Sequence, residues 1–309
     1  MFGRRYNPWI RTLAGFALTV LTVAACGISS CPGNEMRRAT DQVGRTVVFP
    51  AEPVRVIAMA PSITEIIFAI GREDRLAGVT QYSDFPEPAR ALPRIGSYIQ
   101  LDLERIVALK PDLCIAVKDG NPKGTVDRMV SLGIPVFAVN PVDLASVMEA
   151  IGQIGMLLNA GEKAGAVVAD MHRRIERVDR LVATAPDRPG VFFQIGISPI
   201  VSAGSGTFIN ELIQRAGGRN LAQGQPSYPR FSREQVLVMD PDIIIITSMA
   251  RAEAFEAVKR GWESWPRISA VKHGRVHVVD SDILDRPTPR MADGLELLAG
   301  LIHPELFGQ

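Results

Sequence analysis

Cysteine, histidine and aromatic residues are all scarce in this chain: three cysteines, four histidines and 6% aromatics in 309 residues. Cysteines at 26, 31 and 114 give no paired spacing of the kind that holds zinc, and too few bridges for a disulfide-built fold. A bare zinc or manganese centre commonly gathers several histidines. Here His172, His273, His277 and His303 are dispersed, which argues against a metal site. Enzyme motifs are missing too: there is no Gly-x-Ser-x-Gly elbow, no phosphate-cradling Walker loop and no His-Glu-x-x-His pair. Gly204-Ser-Gly206 is too short for a nucleotide fingerprint and reads as a turn before a helix at Thr207. The chain is therefore read as a non-enzyme with no catalytic cofactor. Nor is there an excess of charge. The 34 basic and 33 acidic residues form no basic stripe, which argues against nucleic acid as a partner.

Long apolar runs are absent except at the start. Arg4, Arg5 and Arg11 are followed by an uncharged apolar stretch, Leu13 to Ala25. That is shorter than the ~20 residues needed to cross a bilayer, and it reads as a signal peptide over residues 1–25. It ends Val23-Ala-Ala-Cys26, which resembles the lipobox in which a cysteine is acylated and becomes the new N-terminus. An ordinary signal peptide cleaved nearby is the alternative. Arg4-Arg5 fits a twin-arginine signal poorly. Removal of this leader takes away three arginines and no acid. The expected location is extracytoplasmic or periplasmic, with Cys26 tying the chain to a membrane. Residues 26–53, rich in Gly, Ser, Pro and charge and including Cys31, read as a tether. Cys114 lies within an apolar run and reads as a small buried hydrophobe rather than a bridge partner.

Beyond residue 53, short apolar runs alternate with helical patterns. Val54–Met59, Leu113–Val117, Val136–Val139, Val191–Ile195, Ile243–Thr247 and Arg275–Asp280 are continuous runs, as strands buried on both faces should be. Alternation with helices predicts an α/β fold with mainly parallel sheets. The chain also repeats itself. Leu103–Ala116 aligns with Arg233–Ile246 at constant offset, matching Glu104 to Glu234, Pro111 to Pro241 and Asp112 to Asp242. Glu65–Gly71 likewise resembles Glu211–Gly217, each a helix ended by glycine. Two similar lobes are expected, residues 54–160 and 186–309. Between them, 161–185, apolar residues Ala164, Val167, Val168, Met171, Ile175, Val178 and Val182 recur at helical spacing against a charged face. A helix there would be ~33 Å long, enough to bridge two lobes. An amphipathic helix lying on one domain is the alternative.

Several blocks carry a family resemblance: Arg55–Glu65, Gln81–Pro86, Leu103–Asp112, Ser232–Leu237 and Ser281–Arg290. Together they resemble the periplasmic binding proteins that serve ABC importers of cobalamin and iron complexes, and most of all the cobalamin binders. The resemblance implies two lobes joined by a backbone helix, with a ligand cleft between them. It implies a monomer that captures a corrinoid, cobalamin or cobinamide, and delivers it to a dimeric permease. By the same resemblance the ligand positions are Tyr82, Tyr98, Val117 and the loop after it, the neighbourhood of Phe193 and Gln194, Tyr228, Asp282 and Arg286. The residue pattern agrees on place, since these lie at or just past strand ends, where α/β clefts form. Tyrosines exposed on loops as amphipathic surface residues are the alternative. The family's cobalamin binders carry tryptophans at several pocket positions, whereas tyrosine or valine stands here. That leaves haem, for which tyrosine can be an axial ligand, or a ferric siderophore open. Glu104 and Glu234 fall in the first turns of short helices predicted to be capped by Asp102 and Ser232. The resemblance implies that they dock on the permease. Favourable acids at helix starts are the alternative account.

Overall fold

A computed structural model describes residues 35–247 and 252–308. Residues 1–25, Cys26 and Cys31 lie outside the described residues. The first element corrects the tether. Met36–Thr40 (β1) and Thr46–Pro50 (β2) pair antiparallel, Thr40 opposite Thr46 and Met36 opposite Pro50. Asp41 closes the turn by accepting from the Val43 and Arg45 amides, and Gly44 supplies a φ of +83°. Val47 and Phe49 alternate into the core, whereas Thr46 and Val48 face out. The hairpin is held down from several sides. Gln42 donates its backbone N–H to the Ala138 carbonyl and accepts from Asn140 N–H with its side-chain oxygen, and Arg37 donates to Asn159. The composition of a linker here conceals a period-two pattern, and burial of two side chains outweighs it.

The next lobe follows the expected alternation: Val56–Ala58 (β3), Pro61–Ala69 (α1), Leu76–Val79 (β4), Leu103–Ala108 (α2), Leu113–Val117 (β5), Lys123–Ser131 (α3), Val136–Val139 (β6) and Leu144–Leu157 (α4). The strands form one parallel sheet in the order β4-β3-β5-β6. Helix α5, Gly161–Val182, then buries Ala164, Met171, Ile175, Val178 and Val182. The last lobe contains Gly190–Gly196 (β7), Ile200–Ser202 (β8), Phe208–Arg215 (α6), Arg219–Asn220 (β9), Arg230–Phe231 (β10), Arg233–Met239 (α7), Ile243–Ile246 (β11), Ala252–Glu263 (α8), Ser269–Lys272 (α9), Val276–Val278 (β12), Ser281–Leu284 (α10), Met291–Ile302 (α11) and Pro304–Phe307 (α12). Its sheet runs β10-β8-β7-β11-β12 with β9 beside the start of β7. β7, β11 and β12 are parallel, and β8 and β10 add an antiparallel margin.

One apolar cluster runs through both lobes. It takes one face of each sheet together with α1, α4, α5, α6 and α11. The opposite faces carry separate clusters, Ile106, Cys114 and Met129 in one lobe and Phe192, Val236 and Trp262 in the other. Burial and the neighbouring Asp112 push the Cys114 thiol well above its ordinary range, so it behaves as a hydrophobe. Helix α5 is tied to the second lobe by Arg174, whose guanidinium donates to Asp293 and Glu296 of α11, and by Asp179, which accepts from Arg215 of α6.

The internal repeat extends to backbone conformation. Lys110 and Asp240, at equivalent places, both adopt left-handed φ values, +48° and +44°. Each stops its helix just before the Pro-Asp turn. Asp112 then accepts from the Val54 and Arg55 amides at the start of β3, and Asp242 accepts from Gly190 N–H at the start of β7. The matched aspartates therefore pin matched strands. Gly71 and Gly217, the other matched pair, also have positive φ.

A cleft between the lobes as the candidate ligand site

The two repeat-related helices α1 and α6 both begin at one cleft. Pro61 and Ser62 line it from the first lobe, and Gly206 to Ile209 from the second. In the second lobe Thr207 caps α6, accepting from Asn210 N–H and donating to the Gly204 carbonyl, so the Gly204–Gly206 turn serves the cleft wall. The cleft holds about 940 Å³, near the upper end of the roughly 300–1,000 Å³ typical of small-molecule sites. Its apolar lining includes Ala60, Val117, Ile195, Val278 and Val279, at or just past the carboxyl ends of parallel strands, and Phe208 and Ile209 at the start of α6.

Three tyrosine rings reach this space from both lobes. Tyr82 and Tyr98 meet edge to face, centroids 6.2 Å apart at 66°. Tyr82 is carried just past β4 on a loop held by buried hydroxyls: Thr64 donates to Ser83, and Ser83 also bonds Thr80. Tyr98 is held by Asn121, whose side-chain amide donates to the carbonyls of Tyr98 and Met59 while its oxygen accepts from Val117 N–H. Tyr228 comes from the second lobe and is 58% exposed. Partial burial, Asp119 and Asp285 push its phenol above the ordinary range, which keeps the hydroxyl protonated.

Arg286 also lines the cleft, but as a clasp. Its guanidinium reaches Glu65 and Asp84 of the first lobe and Asp282 of α10, just before it in sequence, at 3.1, 3.0 and 2.7 Å. Arg290 completes the junction with two bonds to Glu65 while stacking over Phe85. Glu65, only 4% exposed, is thereby held by two arginines of the other lobe. Burial opposes the charge on Arg286, yet Asp282, Glu65 and Asp84 together hold its pKa above the ordinary value. The repeat partner of Glu65 also crosses the junction: Glu211 accepts from Leu144 N–H at the start of α4.

Of the eight ligand positions expected from sequence, Tyr82, Tyr98, Val117, Tyr228, Asp282 and Arg286 line the cleft. Phe193 and Gln194 do not. Phe193 is fully buried in the core, two residues short of the rim, and Ile195 on the same strand face takes the place expected for it. Gln194 faces the other side of the sheet, where it accepts from the Trp262 indole and donates to the Gly196 carbonyl. Strand alternation fixes both outcomes. Asp119 lies in the loop after Val117, where a ligand position is expected, whereas Asp84, Asn140, Asp280 and Asp285 are cleft residues that sequence reasoning missed. Asn140 follows directly on β6, so its signal was position after a strand end. None of the four histidines lines the cleft.

Two α/β lobes, joined by a helix and meeting around a cleft of small-molecule size, have the architecture of a ligand-binding protein. The profile of the periplasmic binding protein family matches residues 56–283, and the chain belongs to that family. An uncharacterized ABC transporter substrate-binding lipoprotein of Bacillus subtilis, YvrC, is 29% identical over 93% of this chain and 96% of its own. The vitamin B12-binding protein of Vibrio cholerae is 34% identical over 80% of this chain and 88% of its own. A crystal structure of that Vibrio cholerae binding protein, BtuF, matches with a TM-score of 0.72 at 30% identity, over 84% of this chain and all of the other. A periplasmic heme-binding protein of Pseudomonas aeruginosa matches with a TM-score of 0.75 at 28% identity, over 82% and 93% of the two chains. The protein is a substrate-binding protein of ABC-importer type.

Proposed function

We propose that the protein captures a corrinoid, cobalamin or cobinamide, outside the cytoplasm and hands it to an ABC permease. The observation that carries this reading is the set of tyrosines, Tyr82, Tyr98 and Tyr228, presented by both lobes to one cleft that also has apolar lining residues from both lobes. Such rings give broad contact with a flat macrocycle at little conformational cost. The relatives named as vitamin B12-binding proteins support the same choice. We further propose that the chain acts as a monomer, anchored through an acylated Cys26, and that Glu104 and Glu234 contact the permease dimer. Haem is the second reading, favoured by the three phenols in the cleft and by the heme-binding neighbour.

Calorimetric titration of the ligand-free protein with cyanocobalamin, dicyanocobinamide, haemin and a ferric siderophore separates these readings. One-to-one corrinoid binding is expected, weakened about tenfold or more by Tyr98→Ala or Tyr228→Ala. Tight binding of haemin or the siderophore, with no corrinoid heat, overturns the corrinoid reading and leaves the transport class intact.

A further inference from the structure

The cleft is acidic. Among the described residues, Asp84, Asp119, Asp280, Asp282 and Asp285 line it against a single arginine, Arg286, already committed to three carboxylates. These aspartates do not converge on a point. Among the described residues no group of three acidic, histidine or cysteine side chains is placed to hold a metal ion. Most have local work: Asp84 and Asp282 bind Arg286, and Asp280 caps α10 by accepting from Asp282 N–H. Asp285, at the end of α10, differs. Its Oδ1 accepts from the Thr247 hydroxyl at 3.1 Å. Its Oδ2 is shielded from solvent and has no hydrogen-bond partner among the described residues. A buried acceptor left empty is costly, and Asp285 lines the cleft, so a ligand donor seated against this carboxyl, once the atoms covering it shift, would relieve that cost.

We propose that Asp285 is a specificity-determining residue of the cleft: its Oδ2 accepts an N–H from a peripheral primary amide of the corrinoid and rejects a ligand that places a carboxylate there. The inference rests on the corrinoid reading and deepens it. A primary amide is the neutral donor that this atom lacks. A carboxylate in the same place would bring a second negative charge beside Asp282 and Asp280, with Arg286 already shared.

The experiment uses cyanocobalamin and its isomeric monocarboxylic acids, each with one amide hydrolysed, titrated into wild type and Asp285→Asn. It is run at pH 8, above the value of about 7 to which burial pushes the Asp285 carboxyl. At that pH Asp285 is ionised, facing Asp282, Asp280, Arg286, Thr247 and the protonated Tyr228. At least one monoacid is expected to bind wild type about tenfold or more weakly than cyanocobalamin. In Asp285→Asn that discrimination should shrink by a similar factor, because the new side-chain amide donates to a carboxylate. The ratio is taken within one protein preparation, so partial loss of folded protein does not alter it. If corrinoids bind and the ratios are the same in both proteins for every isomer, the role of Asp285 is wrong while the corrinoid function stands. If wild type binds no corrinoid at all, the functional reading fails and this inference falls with it.

Discussion

Arg286 and Asp285 are neighbours in sequence with opposite fates. The guanidinium spans the junction and is neutralised by three carboxylates, so it organises the cleft more than it offers charge to a ligand. The carboxyl of Asp285 receives one hydroxyl, and burial raises its pKa from an ordinary 3.8 to about 7, reinforced by Asp282 and Asp280 and opposed by Thr247 and Arg286. The folded chain therefore binds this proton more tightly than the unfolded chain. By linkage, the stability that this group contributes is greatest at low pH and is lost as pH rises from about 4 to about 7. Asp285→Asn removes that dependence. In thermal melts without ligand, the variant should gain on wild type steadily over this pH range and hold its advantage above it. Parallel melting temperatures from pH 4 to pH 8 would show that the carboxyl is not perturbed. Residues of this kind are the least legible in sequence. The tyrosines stood out because aromatics are few and lie past strand ends. Whether an acid near them is capped, paired or orphaned depends on partners up to 225 positions away, as with Glu65 and Arg290.

At the scale of elements, the helix–turn–strand repeat was readable and the short margins were not. The long buried strands announce themselves as apolar runs that no solvent-facing residue interrupts. β9 and β10 are two residues each, and β4 carries a glycine, so neither length nor alternation marks them. The paired Pro-Asp turns give a direct test of the repeat. Asp242 holds the buried Gly190 amide at 2.6 Å, whereas Asp112 holds two more exposed amides at 2.8 and 3.0 Å. Asp242→Ala leaves a buried donor unsatisfied and should cost about 1–3 kcal/mol, and Asp112→Ala about 0.5–1.5 kcal/mol. The turns belong to different lobes and share no partner, so the double variant should be additive to within about 0.5 kcal/mol. Urea unfolding of the four proteins measures this. Coupling well beyond that margin would mean that the two lobes do not carry their turns independently.

For the whole molecule, the governing feature is a twofold-like chain with one continuous core. Helix α5 packs between α4 and α11, and the clasp at Glu65 and the bond from Glu211 join the lobes on either side of the junction. Such a body should present its two halves to a partner at a nearly fixed spacing. Glu104 and Glu234 occupy the same place in the two repeats, each exposed in the first turn of a short helix and neither lining the cleft. Asp102 accepts from Arg105 N–H to start α2, and Ser232 and Gln235 exchange bonds to start α7, as their sequence predicts. The amide of Glu234 itself and Ser232 hold its carboxyl below the usual range, so it remains charged. Acids are favoured at helix starts by about 0.3–1 kcal/mol, which accounts for each glutamate singly. It does not account for the apolar residues exposed beside them, Val107 at 44% and Val238 at 88%. Valines left open next to a fixed charge, once in each lobe, suit the contact with a permease dimer proposed above. Carboxylate–arginine pairs at both would set orientation as well as affinity. Glu104→Lys combined with Glu234→Lys should leave ligand affinity within about twofold of wild type while abolishing uptake and co-purification with the permease. Normal uptake by the double variant would return both glutamates to the role of helix starters. Loss of ligand affinity in a folded double variant would instead assign them to the cleft.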